Sequence, residues 1–143
     1  MTYFVKEHNC NFEIFIWHKY NAPPFVNAHY LKDKEYCLLF WKPGVKLQGT
    51  YETMGTVYRT TLNKKDKDLW EHPTIKPLKI IENFIKNSTN PGDTVLDCFM
   101  GSGTTGVACR NLDRNFIGIE IDENYFNIAK KRIETQKQQL ELF

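Results

Sequence analysis

Residues 94–122 read TVLDCFMGSGTTGVACRNLDRNFIGIEID, and this stretch limits the fold more than any other. Thr94 to Cys98 is a short apolar, β-favouring run. The turn residues Pro91-Gly92-Asp93 precede it and a glycine-rich bend follows. The bend, Gly101-Ser102-Gly103-Thr104-Thr105-Gly106, has no large side chain before Val107, which leaves its backbone open to close approach by a ligand. From about Thr104 the pattern suits a helix, with Val107, Ala108 and Leu112 at helical spacing. A second apolar strand, Phe116 to Ile121, ends among the acids Glu120 and Asp122. Strand, glycine bend, helix, strand, acid is the first βαβ unit of a nucleotide-binding α/β sheet.

The charges indicate which nucleotide. Gly101, Gly103 and Gly106 satisfy G-x-G-x-x-G, a weak pattern taken alone. A dinucleotide site lays a pyrophosphate on the helix N-terminus, but here Asp97 closes the strand just before the bend. Two unit charges of like sign ~4 Å apart repel by roughly 4 kcal/mol at an effective dielectric of 20. The same carboxylate suits an ammonium or a sulfonium. Glu120 can accept both hydroxyls of a ribose. A ribose with a cationic tail and no phosphate describes S-adenosylmethionine.

VLDCFMGSGTTG followed by FIGIEID resembles the cofactor motifs of amino-methylating DNA methyltransferases, and HPTIKP (residues 72–77) resembles the motif that precedes them in the circularly permuted, β-type order. The resemblance implies an α/β, Rossmann-like class I methyltransferase sheet with flanking helices. It implies cofactor contacts from Lys76, Pro77, Asp97, Phe99, Gly101, Ser102, Gly103, Thr104, Thr105 and Glu120. The methionine part would lie at Asp97 and the bend, its carboxylate near Lys76 and Pro77, and the ribose at Glu120. The reaction implied is methyl transfer from S-adenosylmethionine to an exocyclic amine of double-stranded DNA, adenine N6 ahead of cytosine N4, in a restriction–modification setting.

The 143 residues are enough for one domain but short for a complete α/β enzyme. The expected organisation is a strand–loop–strand part (1–44), a target-recognition loop (45–70) and a cofactor-binding part (71–143). A net charge of +2 carries no chain-wide polybasic signature. No apolar run approaches the ~20 residues that span a membrane, and no basic-then-apolar leader opens the chain. Cys10, Cys37, Cys98 and Cys109 match no zinc spacing. They read as buried free thiols of a reducing, cytoplasmic compartment rather than as a disulfide framework, and no metal site is expected.

Upstream, Phe12 to Trp17 alternates aromatic and β-branched residues and reads as a buried strand. A second strand, Glu35 to Lys42, ends at Pro43-Gly44. The pair resembles the family's W-x-K-x-N-x-x-P loop and E-Y-x-L-x-F strand, which extends the resemblance over most of the chain. The family's catalytic motif is Asp/Asn/Ser-Pro-Pro-aromatic. Pro23-Pro24-Phe25 follows Ala22, which offers no side-chain acceptor, so the triplet reads as a rigid loop rather than a catalytic motif. The catalytic residues are therefore not identified; Trp17 and Asn21 are the candidates near the base pocket. The family's catalytic strand would lie in mid-sheet, upstream of the residues given. The sheet is expected to be incomplete, the chain being a truncation or one completed by a second polypeptide; a homo-oligomer is the other assembly expected.

Residues 45–70 carry Lys46, Arg59, Lys64 and Lys65 among aromatics and hydroxyls, which suits phosphate contact. Taken alone, Lys64-Lys65-Asp66-Lys67-Asp68 reads as a solvated loop. Thr74 is expected to cap a helix with Pro77 in its first turn and Leu78, Ile81, Phe84 and Ile85 as its core stripe. His72 reads as structural. Asp122 is expected to cap a last helix carrying Tyr125, Phe126, Ile128, Ala129 and Ile133, with Lys130-Lys131-Arg132 on its outer face and a frayed tail from Gln136. Two other readings stay open: a non-catalytic remnant or subunit that binds cofactor or DNA, and a fragment of an NAD-dependent oxidoreductase.

Overall fold

The computed structural model describes residues 2–22, 30–62, 64–71 and 73–140. Pro23-Pro24-Phe25 and His72 lie outside them. The chain divides into two compact units, Met1–Leu62 and Asn63–Phe143, so the boundary falls inside the 45–70 segment.

The first unit is a three-stranded sheet. Helix α1 (Thr2–His8) leads into β1 (Asn11–Lys19), which pairs antiparallel with β2 (Lys34–Trp41), Ile14 standing opposite Leu38. Strand β3 (Val57–Thr60) runs parallel to the other edge of β1, Trp17 opposite Tyr58. Side chains alternate across a strand, so Phe15 and Trp17 share a face and are buried, Phe15 stacked on Tyr58 with ring centroids 6.2 Å apart. The opposite face departs from the expected buried strands: Phe12, Ile14, Tyr36, Leu38 and Phe40 are all exposed, with the Phe4 ring of α1 5.0 Å from that of Phe40. An alternating apolar run records both faces of a strand but not which face is covered.

The second unit is the βαβ element with its supporting helices. Strands β4 (Thr94–Asp97) and β5 (Asn115–Gly118) pair in parallel, Leu96 opposite Ile117. Between them runs α4 (Thr104–Asn111). The two strand starts are pinned together where Asn115 N–H donates to the Asp93 carbonyl (2.8 Å) and Gly92 N–H to that of Asp113 (2.7 Å). Helix α3 (Leu78–Ser88) packs on α4, burying Ile85, Ala108 and Cys109 against Val95, Leu112 and Phe116. The long α5 (Glu123–Leu140) is capped as expected, Asp122 Oδ1 accepting the Tyr125 N–H at 3.0 Å.

Several boundaries differ from the sequence expectation. Residues 45–70 hold β3 and a helix, α2 (Lys64–Trp70), where a loop was expected. Helix α3 starts at Leu78 with Pro77 at its cap, and no side chain caps it; Thr74 lies upstream. Strand β5 stops at Gly118, although Ile119 still donates to the Asp97 carbonyl at 2.9 Å. Residues 136–140 continue α5, as Gln, Lys and Leu are good helix formers. Cys37 and Cys98 are exposed and Cys10 half-buried; only Cys109 meets the expectation of a buried thiol. Arg132 is buried rather than on an outer face.

Candidate functional site

Lys76, Asp97, Phe99, Gly101, Ser102, Thr104 and Thr105, named from the sequence, line one cleft together with Thr74, Ile81 and Met100, which were not. All of it lies in the second unit. Asp97 ends β4, and its carboxylate organises the bend: Oδ1 accepts the Phe99 N–H at 3.0 Å and Oδ2 the Thr105 hydroxyl at 2.6 Å. A carboxylate has about four lone-pair sites, so this pairing leaves capacity for a cationic ligand. Lys76 supplies the opposite sign, just ahead of Pro77, whose own extended backbone leads into α3. One wall anionic and one cationic suits a zwitterion. The cleft is small, about 170 Å³, below the roughly 300 Å³ where pockets for whole drug-sized ligands begin. A ligand of that size would extend beyond it.

Glu120 stands just past β5. Its Oε2 accepts the Gly101 N–H at 2.9 Å and its Oε1 the Asp122 N–H at 3.0 Å. These backbone donors, Asp122 first, hold its pKa below the ordinary carboxylate value. The side chain is thus anionic and fixed at the edge of the bend. Phe99, 91% exposed, presents its ring at the cleft.

The glycines answer a need other than ligand access. Gly101 and Gly103 adopt left-handed φ of 50° and 72°. A Cβ added at Gly103 would stand 2.9 Å from Cβ of Ala129, and one at Gly106 2.3 Å from Cδ1 of Ile133. Both small residues admit α5 to the back of the bend. From that helix Arg132 Nη1 donates to the Thr104 hydroxyl (2.9 Å), the Ser102 carbonyl (3.1 Å) and the Ser102 hydroxyl (3.3 Å). Burial lowers the Arg132 pKa and Asp66, 3.9 Å away, raises it. The sequence signal for this contact was the i, i+3, i+4 spacing of Ala129, Arg132 and Ile133, which puts all three on one face.

The remaining sequence candidates fall elsewhere. Trp17 Nε1–H donates to the Thr60 hydroxyl at 2.8 Å and Asn21 Oδ1 accepts the Leu62 N–H at 2.7 Å, so both tie β1 to the β3 segment. Lys46 and Arg59 are exposed in the first unit, and Lys64 and Lys65 are exposed on α2 in the second. Among the described residues no group of His, Cys, Asp or Glu could hold a metal ion, and no helix is long and apolar enough to cross a membrane.

Comparison with known proteins completes the picture. The N6/N4 DNA methylase family model matches residues 4–131. Type II methyltransferase M2.DpnII of Streptococcus pneumoniae is 33% identical over 135 residues, covering 85% of this chain and 50% of the relative. M2.LlaDCHI of Lactococcus lactis subsp. cremoris is 35% identical over 130 residues, covering 82% and 48%. The crystal structure of an M1.HpyAVI–SAM complex superposes with a TM-score of 0.75 at 38% identity, covering 91% of this chain and 66% of that one. The chain therefore spans about half the length of the relatives it matches.

Proposed function

The chain belongs to the N6/N4 DNA methylase family, and on that premise we propose that it carries the S-adenosylmethionine-binding part of a site-specific DNA methyltransferase. The observation that carries this reading is the pairing of Asp97 and Lys76 in one cleft under the glycine bend, with Glu120 wired to the same bend. Asp97 takes the ammonium of the methionine moiety and Lys76 its carboxylate, with Pro77 fixing the backbone that presents the lysine. The bend residues Gly101, Ser102, Thr104 and Thr105 supply backbone and hydroxyl contacts, Gly103 keeps the bend seated, and Glu120 accepts the ribose hydroxyls. Phe99 offers its exposed ring as apolar cover.

The cofactor, held by Asp97, Lys76, the bend and Glu120, would supply an electrophilic methyl group on sulfur for direct transfer to an exocyclic amine of DNA, which would give up a proton in exchange. The target base is swung out of the duplex for this step, adenine N6 ahead of cytosine N4. Residues 45–70 form the recognition side, with Lys46, Arg59, Lys64 and Lys65 on phosphates. Trp17 and Asn21, fixed by their bonds to the β3 segment, shape the neighbourhood of the base. The acceptor for the target amine comes from an Asp-Pro-Pro-Tyr-type motif supplied by a further segment or a second polypeptide. Ala22 ahead of Pro23-Pro24 favours a second reading, a cofactor- or DNA-binding subunit without chemistry of its own.

Calorimetry tests the site. Asp97→Asn keeps the shape of the side chain and removes its charge; an ion-assisted hydrogen bond lost this way weakens S-adenosylmethionine binding roughly tenfold or more. A full chain that NAD stabilises against melting and S-adenosylmethionine does not would refute the assignment. Transfer of labelled methyl to unmethylated DNA on adding a polypeptide that carries the missing motif, and none without it, separates the completed enzyme from the non-catalytic subunit.

A further inference from the structure

Arg132 is 6% exposed, and taking a guanidinium out of water is costly unless the charge is well met. Its close acceptors are three neutral oxygens of Ser102 and Thr104, while Asp66 approaches only at the outer limit of an ion pair, 3.9 Å from Nη2. A helix–loop contact that needed only adhesion would be apolar, as Ala129 and Ile133 on the same face are. Ser102 and Thr104 both line the cleft; Arg132 does not.

We infer that Arg132 is a positioning residue for the cofactor cleft, fixing Ser102 and Thr104 from α5 in the geometry that the ligand meets. The inference rests on the reading that this cleft holds S-adenosylmethionine. Gly103 enforces the same arrangement sterically, since its approach to Ala129 sets how closely the bend seats on the helix. The steric contact sets the depth of the bend, and the guanidinium sets the orientation of its two hydroxyl residues. Thr105, anchored to Asp97 at 2.6 Å, is held from the strand side. The bend is therefore held by charged side chains that belong to two different elements.

The test uses the full chain and three variants: Arg132→Gln, Arg132→Lys and Ile133→Val. Three quantities are read: the S-adenosylmethionine dissociation constant, the melting temperature, and amide hydrogen exchange of residues 101–105 without ligand. Arg132→Gln is expected to weaken binding roughly tenfold. Its bend amides should exchange faster while those of β4 and β5 keep their protection. Arg132→Lys, which retains charge and donors, should recover most of the affinity. Ile133→Val trims packing on the same turn; it should melt lower yet bind within about twofold of the parent. Unchanged affinity and unchanged bend exchange in Arg132→Gln would overturn the inference. So would a loss in Ile133→Val as large as in Arg132→Gln, because general packing would then explain both. If the parent itself fails to bind S-adenosylmethionine, the cofactor reading falls, and bend exchange in Arg132→Gln alone decides whether the arginine holds the loop.

Discussion

Glu120 accepts one backbone N–H on each oxygen, and these bonds exist only in the folded chain. Its folded pKa therefore lies below the ordinary 4.5. A depressed acid contributes stability that is present above the unfolded value and lost as pH falls through the folded one. The Glu120 carboxylate signal, followed by NMR from pH 7 downward, should titrate with a midpoint below 4.5; a midpoint at or above 4.5 would contradict the hydrogen bonds. Cys109 shows the opposite case. Burial pushes its thiol up to about 11, with Arg114 pulling the other way, so it is both inaccessible and protonated near neutrality. Iodoacetamide at pH 8 should modify exposed Cys98 well ahead of Cys109, and equal rates in the folded protein would exclude that burial. Asp97 and Glu120 were legible in the sequence because an acid closing an apolar run has few other uses. Arg132 was not: a Lys-Lys-Arg triplet looks solvated until the helical phase shows that its last member shares a face with Ala129.

At the scale of elements, the glycines separate strain from crowding. Gly103 sits at φ 72° with backbone and Cβ of Ala129 within 3.1 Å of where a Cβ would go. Gly106 lies in α4 and would meet chiefly the flexible end of Ile133 and the Phe116 ring. Alanine at 103 combines left-handed strain of ~1–2 kcal/mol with a clash against backbone. Alanine at 106 regains up to ~1 kcal/mol of helix propensity against its overpacking. Thermal denaturation should find Gly103→Ala the more destabilising of the two, and the reverse order would show that α5 does not seat where described. The β4–α4–β5 unit was readable because period, turn residues and glycine bend all agreed. β3 and α2 were not, since Val57-Tyr58-Arg59-Thr60 is too short for a clear alternation. The charge-rich Lys64–Trp70 buries no residue, so no apolar stripe marks it as a helix.

For the molecule as a whole, a net charge of +2 leaves little long-range field, so affinity for DNA must come from local contacts. If Lys46, Arg59, Lys64 and Lys65 each neutralise one phosphate, the logarithm of the binding constant falls with log salt at a slope of about −3.6, or about −0.9 per contact. Each single Lys→Ala or Arg→Ala change should flatten the slope by that step; a variant with the parental slope removes its residue from the interface. The parallel strands also leave Leu96 and Ile117, opposite each other in register, more than half exposed, although parallel sheets normally have both faces covered. The sequence showed these residues to be apolar, but could not show which side of the strand the helices take. The seating of the bend on α5 has a bearing on synthesis. Gly103 leaves the ribosome well before Ala129 and Arg132, so the nascent loop waits without its support. The cleft can acquire its final shape only when that helix has emerged and folded back.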